Sequence, residues 1–280
     1  MTGRTTSPGP LTGRTLLMSG GSRGIGLAIG VAAGRLGANV ALLAKTDTPD
    51  PRLPGTVHTA AAEITSAGGQ ALAVVGDVRD EGDVQRAVDE TVARFGGIDF
   101  CLNNASALAP LKTEELSVKR FDLMQQIQLR GTFLLTRAAL PHLRRSSYAH
   151  ILSLSPPINL APRWMGLHPA YTLAKYGMTL LTLGWAAEFA EAGIGANALW
   201  PRTLIATAAV QNLLGGDKSM QRARTPEIMA DAAVALLQRP PRECTGQTFI
   251  DEDVLRAEGV TDFSSYGGGP DAVLDLYVDP

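Results

Sequence analysis

The 280-residue sequence is short of cysteine, of basic runs, of clustered histidine and of long apolar stretches, and each shortage removes a class of protein. Its two cysteines, Cys101 and Cys244, stand far apart with no ligand spacing, so neither a disulfide framework nor a cysteine-based zinc site is expected, and a reducing cytoplasm fits. The four histidines (His58, His142, His150, His168) are scattered and form no metal motif. Twenty-five Lys and Arg against 27 Asp and Glu leave a net charge of −2 with no basic block, which recommends neither nucleic acid nor an anionic membrane as a partner. No apolar run reaches the ~18 residues of a membrane span. The N-terminal "MTGRTTSPGPLTGR" is polar with Gly and Pro, and reads as neither signal peptide nor anchor.

What is present is alternation. With 45% hydrophobic residues the chain can bury one large core, so one domain is expected. Short apolar runs at residues 14–19, 39–45, 71–78, 98–106 and 149–155, then "IGANALW" and "GQTFID", read as seven strands. Between them lie segments of helical periodicity, including a long one over 118–143, another at "AYTLAKYGMTLLTLGWAAEFAEAG", and "TPEIMADAAVALLQR" with Thr225 as N-cap and Pro226 at N1. Apolar strands alternating with helices predict α/β class: one doubly wound domain with a seven-stranded parallel sheet covered on both faces. Its expected bounds are 14–262, between a flexible tail at 1–13 and a C-terminal tail at 263–280 lying on the surface or reaching a partner subunit. Residues 45–56 read as a Pro-rich loop, and 203–224 as an irregular candidate lid with hinge glycines at Gly215 and Gly216.

"SGGSRGIG" puts Gly20, Gly24 and Gly26 between the first strand and the first helix. Such a turn lets backbone approach a pyrophosphate, and the helix N-terminus adds amide donors and a positive dipole end. The alternative GxGxxG spacing would need glycine where Ile29 sits. The second strand ends in Ala44-Lys45 and lacks the acid that would hold a ribose 2′-hydroxyl. Lys45 and Arg23 can instead pair a 2′-phosphate, which favours NADP(H) over NAD(H). Asp77, after the third strand, can accept from an adenine amino group.

Tyr171 and Lys175 are one helical turn apart on one face. A phenol is a poor acid-base group at neutral pH, and a neighbouring ammonium favours its phenolate. The pair follows the fifth strand, at the carboxyl edge where the glycine turn also lies.

Taken together, "SGGSRGIG", "GDV", "NNAS", "LRGTFLL", "AYTLAKYG", "NALWP" and "TGQTFID" resemble, in order, the short-chain dehydrogenase/reductase family, whose domain is of the Rossmann type. The resemblance implies a hydride transfer between nicotinamide and a carbonyl/alcohol pair of lipid- or steroid-like character. Gly20, Gly21, Ser22, Arg23, Gly24, Ile25 and Gly26 would cradle the dinucleotide, with Lys45, Asp77 and Val78 at its adenosine end and Asn104 on its flank. Lys175 would hold the nicotinamide ribose, and Tyr171 would donate or accept the proton. Trp164, Met165, Leu167 and Trp200 would allow an apolar substrate, and a homodimer or homotetramer is implied by the apolar surface of the helices carrying Gln128 and Tyr171.

Two departures stand out. The family's relay Asn falls on Gln128. Its catalytic Ser, 13 residues before the Tyr, falls on Ile158 by counting and on Pro156 by aligning the strand end. Ser155 is the nearest upstream hydroxyl, and Ser153, one pleat back, points to the same side. These departures leave a second expectation beside the enzyme: an NADP(H)-binding protein with little turnover, a sensor or scaffold. An epimerase or dehydratase on the same fold would require a different glycine spacing.

Overall fold

Strand β1 (Thr15–Ser19) is apolar over Leu16–Met18 and buried throughout, and it pairs in parallel with β2 (Asn39–Ala44) on one side and β4 (Phe100–Asn103) on the other. Adding β3 (Gln70–Val75), β5 (His150–Ser153), β6 (Gly195–Trp200) and β7 (Thr248–Ile250) gives one seven-stranded sheet of order β3-β2-β1-β4-β5-β6-β7, every pair parallel. The computed structural model describes residues 9–50, 55–213 and 215–279. The expected α/β architecture is therefore observed.

Side chains alternate between the two faces, as a pleat requires. Leu16, Met18, Val40, Leu42 and Leu102 point to one core, under α1 (Gly24–Arg35), α2 (Val57–Ser66) and two helices near the C-terminus, α10 (Glu227–Leu237) and α11 (Asp251–Ala257). Leu17, Ala41, Leu43, Cys101 and Ile151 point to the other core. It lies under α3 (Glu81–Phe95), α5 (Gly131–Leu143) and α7 (Pro169–Glu188). Strand order reverses between β1 and β4, and the crevice at that switch point is where ligands of such sheets bind.

The structure differs from the sequence reading in four places. The long helix over 118–143 is divided into α4 (Val118–Met124), a π-helical turn (Gln125–Arg130) and α5. The helix expected from Thr225 begins at Glu227 with Pro226 as its cap residue, and the Thr225 N–H ties the entry to the Tyr266 carbonyl at 2.7 Å. Residues 203–213 and 215–224 include α8 (Ala208–Leu213) and α9 (Gly216–Gln221), with Gly215 at φ 105° just before α9 and Gly216 at 61° opening it. A short α6 (Pro162–Met165) precedes α7.

The terminal segments pack where tails were expected. Residues 1–8 lie outside the described residues, but Leu11 is buried and its N–H donates to the Leu36 carbonyl at 3.0 Å. Residues 273–279 form a strap: Leu204 N–H donates to Val273 O and Asp275 N–H to Arg202 O, each at 2.9 Å. Tyr277 and Val278 on the strap are buried, so this stretch is not a surface tail.

His150 opens β5 in an apolar setting, with Nε2 3.0 Å from the Arg239 carbonyl. Burial pushes its pKa down from 6.5 to about 4, against the carbonyl's opposing pull. The unfolded chain therefore takes up this proton below pH ~6.5, while the folded chain resists until about 4. Stability should fall by about 3 kcal/mol from this group as pH drops through that window. Urea unfolding at pH 7 and pH 4.5 checks it: His150→Gln should show a clearly smaller loss than the parent.

Candidate active site

The glycine turn after β1 is held shut by one amide. Asn104 Nδ2 donates to Ser19 O at 3.0 Å and Gly20 O at 2.7 Å, while the Ser19 hydroxyl accepts from the N–H groups of Asn104 and Ala105. There is no room for side chains here. A Cβ on Gly20, at φ 77°, would sit 2.8 Å from Ala105 Cα, and one on Gly26 would sit 2.5 Å from Asn104 Nδ2. Gly21 lies against Leu42, Ser22 is buried, and Ile25 packs against the sheet core. Gly24, at φ 55°, starts α1 and faces only Thr207 across a gap. The first turn of α1 carries no acid and no side-chain cap, so its amides keep their partial positive charge. A bare backbone cradle beneath a helix N-terminus fits a pyrophosphate.

At the end of β2 stand the cations. Arg23 Nη2 donates to Thr46 Oγ1 at 3.1 Å and to Gly55 O at 2.9 Å. Lys45 Nζ lies 3.1 Å from Asp77 Oδ2 and remains half exposed. Asp77 also receives the Arg79 guanidinium, with Nη2 at 2.6 Å from Oδ2. Burial works against the Asp77 carboxylate, but the Arg79 and Lys45 donors outweigh it and hold its pKa well below the usual range. Val78 is buried against Gly131 of α5. The glycine turn, Arg23, Lys45, Asp77 and Asn104 thus gather along one sheet edge.

Tyr171 and Lys175, on the first turns of α7, are brought together at the same edge, and both are buried. Tyr171 shares a third apolar cluster with Tyr176, Trp200, Tyr277 and, more loosely, Trp164, while Met165 and Leu167 stay at the surface. Lys175 Nζ donates to the Leu154 carbonyl at 2.8 Å and lies 5.2 Å from the Trp200 ring centroid. Burial lowers the Lys175 pKa to about 7. Burial raises that of Tyr171 well above 10, helped by Tyr277 and Asp275, and the Ser106 hydroxyl opposes the rise.

The upstream serines take another course. Ser153 Oγ accepts from Thr182 at 2.7 Å, and Ser155 Oγ lies 2.9 Å from Thr179 Oγ1, which also reaches Pro156 O at 2.7 Å. The two serines, one pleat apart, face two α7 threonines three residues apart, so each binds α7. Ser106, in the loop after β4, is the hydroxyl that eases the rise of the Tyr171 phenol. That residue ends the "NNAS" motif, where only the asparagine drew attention in the sequence. Gln128 lies within the π-helical turn, fully buried. Its Oε1 accepts from Ala107 N–H at 3.3 Å and its Nε2 has no partner.

The chain resembles known proteins over nearly its whole length. The sequence model of a family described as Enoyl-(Acyl carrier protein) reductase matches residues 20–252. "Hydroxysteroid dehydrogenase-like protein 2" of Danio rerio is 50% identical over 97% of this chain, which in turn spans 65% of that relative's length. A solved short-chain dehydrogenase of Mycobacterium thermoresistibile is 55% identical, with TM-score 0.91 over 96% of each chain. An NADH-dependent reductase solved with NAD is 26% identical, with TM-score 0.69 over 86% of this chain and 95% of its own.

The clamp on the glycine turn is directly testable. Gly26→Ala forces a methyl against Asn104 Nδ2 and, at 2.8 Å, the Gly20 carbonyl. Such overpacking should cost about 1–3 kcal/mol, read as a lowered urea midpoint with an unchanged slope.

Proposed function

Because this chain belongs to the short-chain dehydrogenase/reductase family, we propose that it is an NADP(H)-dependent oxidoreductase acting on a carbonyl/alcohol pair, with a lipid- or steroid-like substrate. One observation carries the reading: a buried Tyr171 and a buried Lys175 one turn apart, at the sheet edge that also bears the clamped glycine turn. The bound dinucleotide would supply or take the hydride. The chain's own residues do the rest.

The cradle of residues 20–26 and the α1 N-terminus would hold the pyrophosphate, flanked by Asn104, with Asp77 and Val78 toward the adenine. Arg23 is anchored on the loop after β2, near the exposed Lys45. Two cations there, one of them shared with Asp77, and a β2 that ends without an acid support a 2′-phosphate, hence NADP(H) ahead of NAD(H). In reduction Tyr171 gives its proton to the carbonyl oxygen; its raised pKa keeps that proton in place at neutral pH. In oxidation it accepts the proton, and Lys175, held by the Leu154 carbonyl, stabilises the phenolate through its charge. Lys175 would also hold the nicotinamide ribose. Ser106 stands beside the phenol as the second hydroxyl, while Ser155 supports α7 through Thr179. The orphaned Gln128 Nε2 suits an ordered water, as a relay position would require.

Leu180 and Leu173 on α7 and Phe133 on α5 are exposed, beside a shallow groove along Leu129, Gly177, Leu181, Gly184 and Trp185. This face supports a homodimer or homotetramer. Among the described residues, no helix is long and apolar enough to cross a membrane. The two buried, free cysteines support a reducing, cytoplasmic setting.

The turn of Ser155 toward Thr179 favours a second reading, an NADP(H) sensor or scaffold with little turnover. NADPH oxidation with a panel of lipid-like and steroid ketones separates the two. Tyr171→Phe should lower kcat about 10²-fold or more while NADPH affinity stays within about twofold. Ser155→Ala should leave kcat within about threefold and lower stability by about 1 kcal/mol, one buried hydrogen bond. No turnover in the parent across the panel supports the sensor, whereas undiminished turnover in Tyr171→Phe removes Tyr171 from the catalytic set. A 10²-fold loss in Ser155→Ala would restore Ser155 to the catalytic set.

Cofactor choice is a separate measurement. Lys45→Glu should weaken NADPH binding about tenfold or more and leave NADH nearly unchanged. Equal losses for both would remove Lys45 from the 2′-phosphate site.

A further inference from the structure

Lys175 has three ammonium donors, and the structure gives it one acceptor, the Leu154 carbonyl at 2.8 Å, together with the Trp200 ring face. A cation in such surroundings needs a negative charge to stay a cation. On its own helix, Tyr171 is neutral at physiological pH, and the Tyr176 hydroxyl is spent on the Asn159 carbonyl at 2.7 Å. On α11, Glu252 is claimed by Arg224 and Arg256, each at 2.8 Å, with Arg202 at 3.5 Å. Asp251 accepts at Oδ1 from the N–H groups of Arg202 and Glu252 at 2.8 and 2.7 Å, while its buried Oδ2 has no partner; its charge is felt at Asp275 rather than at Lys175. The strap brings Tyr277, whose hydroxyl meets Thr172 Oγ1 at 3.0 Å, and Asp275. Asp275 accepts from the next residue's N–H at 2.6 Å and, among the described residues, makes no contact ion pair.

We propose that Asp275, carried by the strap of residues 273–279, is a positioning residue for the proposed reaction, its carboxylate keeping Lys175 charged beside Tyr171. The strap is pinned on both sides of Asp275 to the residues that surround Lys175. Its backbone pairs with Arg202 and Leu204, the Trp200 indole N–H donates to the Leu276 carbonyl at 2.9 Å, and Tyr277 packs 5.1 Å from the Tyr176 ring and 6.2 Å from that of Trp200. Tyr277 is the one non-glycine among the described residues with positive φ, at 70°. A bulky side chain in that conformation stays only where its surroundings fix it, so the strap has a defined seat. The electrostatics agree. Burial drives Lys175 down and Asp275 up, both to about 7; the Leu276 N–H restrains Asp275, Asp251 adds to its rise, and Lys175 and Asp275 each oppose the other's drift toward neutrality. The effect acts through space, and apolar surroundings strengthen it.

The catalytic meaning rests on the hydride-transfer reading above; the electrostatic coupling does not, and the test separates them. The chain has five lysines, at positions 45, 112, 119, 175 and 218. The full-length protein labelled with [13Cε]lysine can be titrated by NMR, with Lys175 assigned by replacing the four exposed lysines with arginine in turn. Asp275→Asn keeps the acceptor for the Leu276 N–H and removes only the charge. It should move the Lys175 midpoint down by about one pH unit or more, and Asp275→Glu should return it toward the parent value. An unchanged midpoint in Asp275→Asn overturns the proposal. So does a rise toward ordinary lysine values, which would show that the residue merely seats the strap. If the coupling is found but the parent reduces none of the ketones, the hydride-transfer reading fails and the coupling stands.

Discussion

A positive charge held out of water is the constraint around which the carboxyl edge of this sheet is arranged. Lys175 can sit there because β5 stops where it does. The Leu154 N–H still donates to Asn103 O at 2.9 Å, continuing the sheet by one bond, but the Leu154 carbonyl turns to the ammonium. Pro156 and Pro157 follow, and without N–H groups they cannot prolong the ladder. The same break lets α6 and the start of α7 fold back over the edge. Tyr171 is then placed by helix periodicity alone, one turn before the lysine.

Beneath this lies a row of buried hydroxyls and amides. Asn103 Nδ2 reaches Thr136 Oγ1 at 3.0 Å and, more weakly, Ser153 Oγ at 3.4 Å, while Ser153 and Ser155 take Thr182 and Thr179. Buried polar groups of this kind fix registry, because shifting any one strands the others without partners. The row ties β4, β5, α5 and α7 together directly under Tyr171. It also accounts for the position of Ser155: a hydroxyl engaged in holding α7 supports the site from below.

Much of this was legible in the sequence, for physical reasons. Strand apolarity, the glycine turn and the Tyr171/Lys175 spacing are local signals that need only neighbouring residues to be read. Where the reading fell short, the cause was contact across long stretches of chain. Asp275 and Tyr277 lie in a stretch without periodicity and acquire their surroundings from Trp200, Arg202, Thr172 and Tyr176, some 70–105 residues earlier. Nothing near Ser106 announces that it will stand beside a phenol 65 positions on. The π-helical turn at Gln125–Arg130 is hidden for a different reason: its side-chain pattern still suits an α-helix, and only the backbone bonding differs.

The strap has a consequence for how the protein is made. Strands, helices and the Tyr171/Lys175 pair can all assemble from residues up to about 257, the end of α11. The cover that Tyr277 lays over Trp200, Tyr176 and Thr172 cannot, because residues 273–279 follow all of them in the chain. A domain emerging N-terminus first therefore carries Trp200 and Tyr176 uncovered until that stretch arrives.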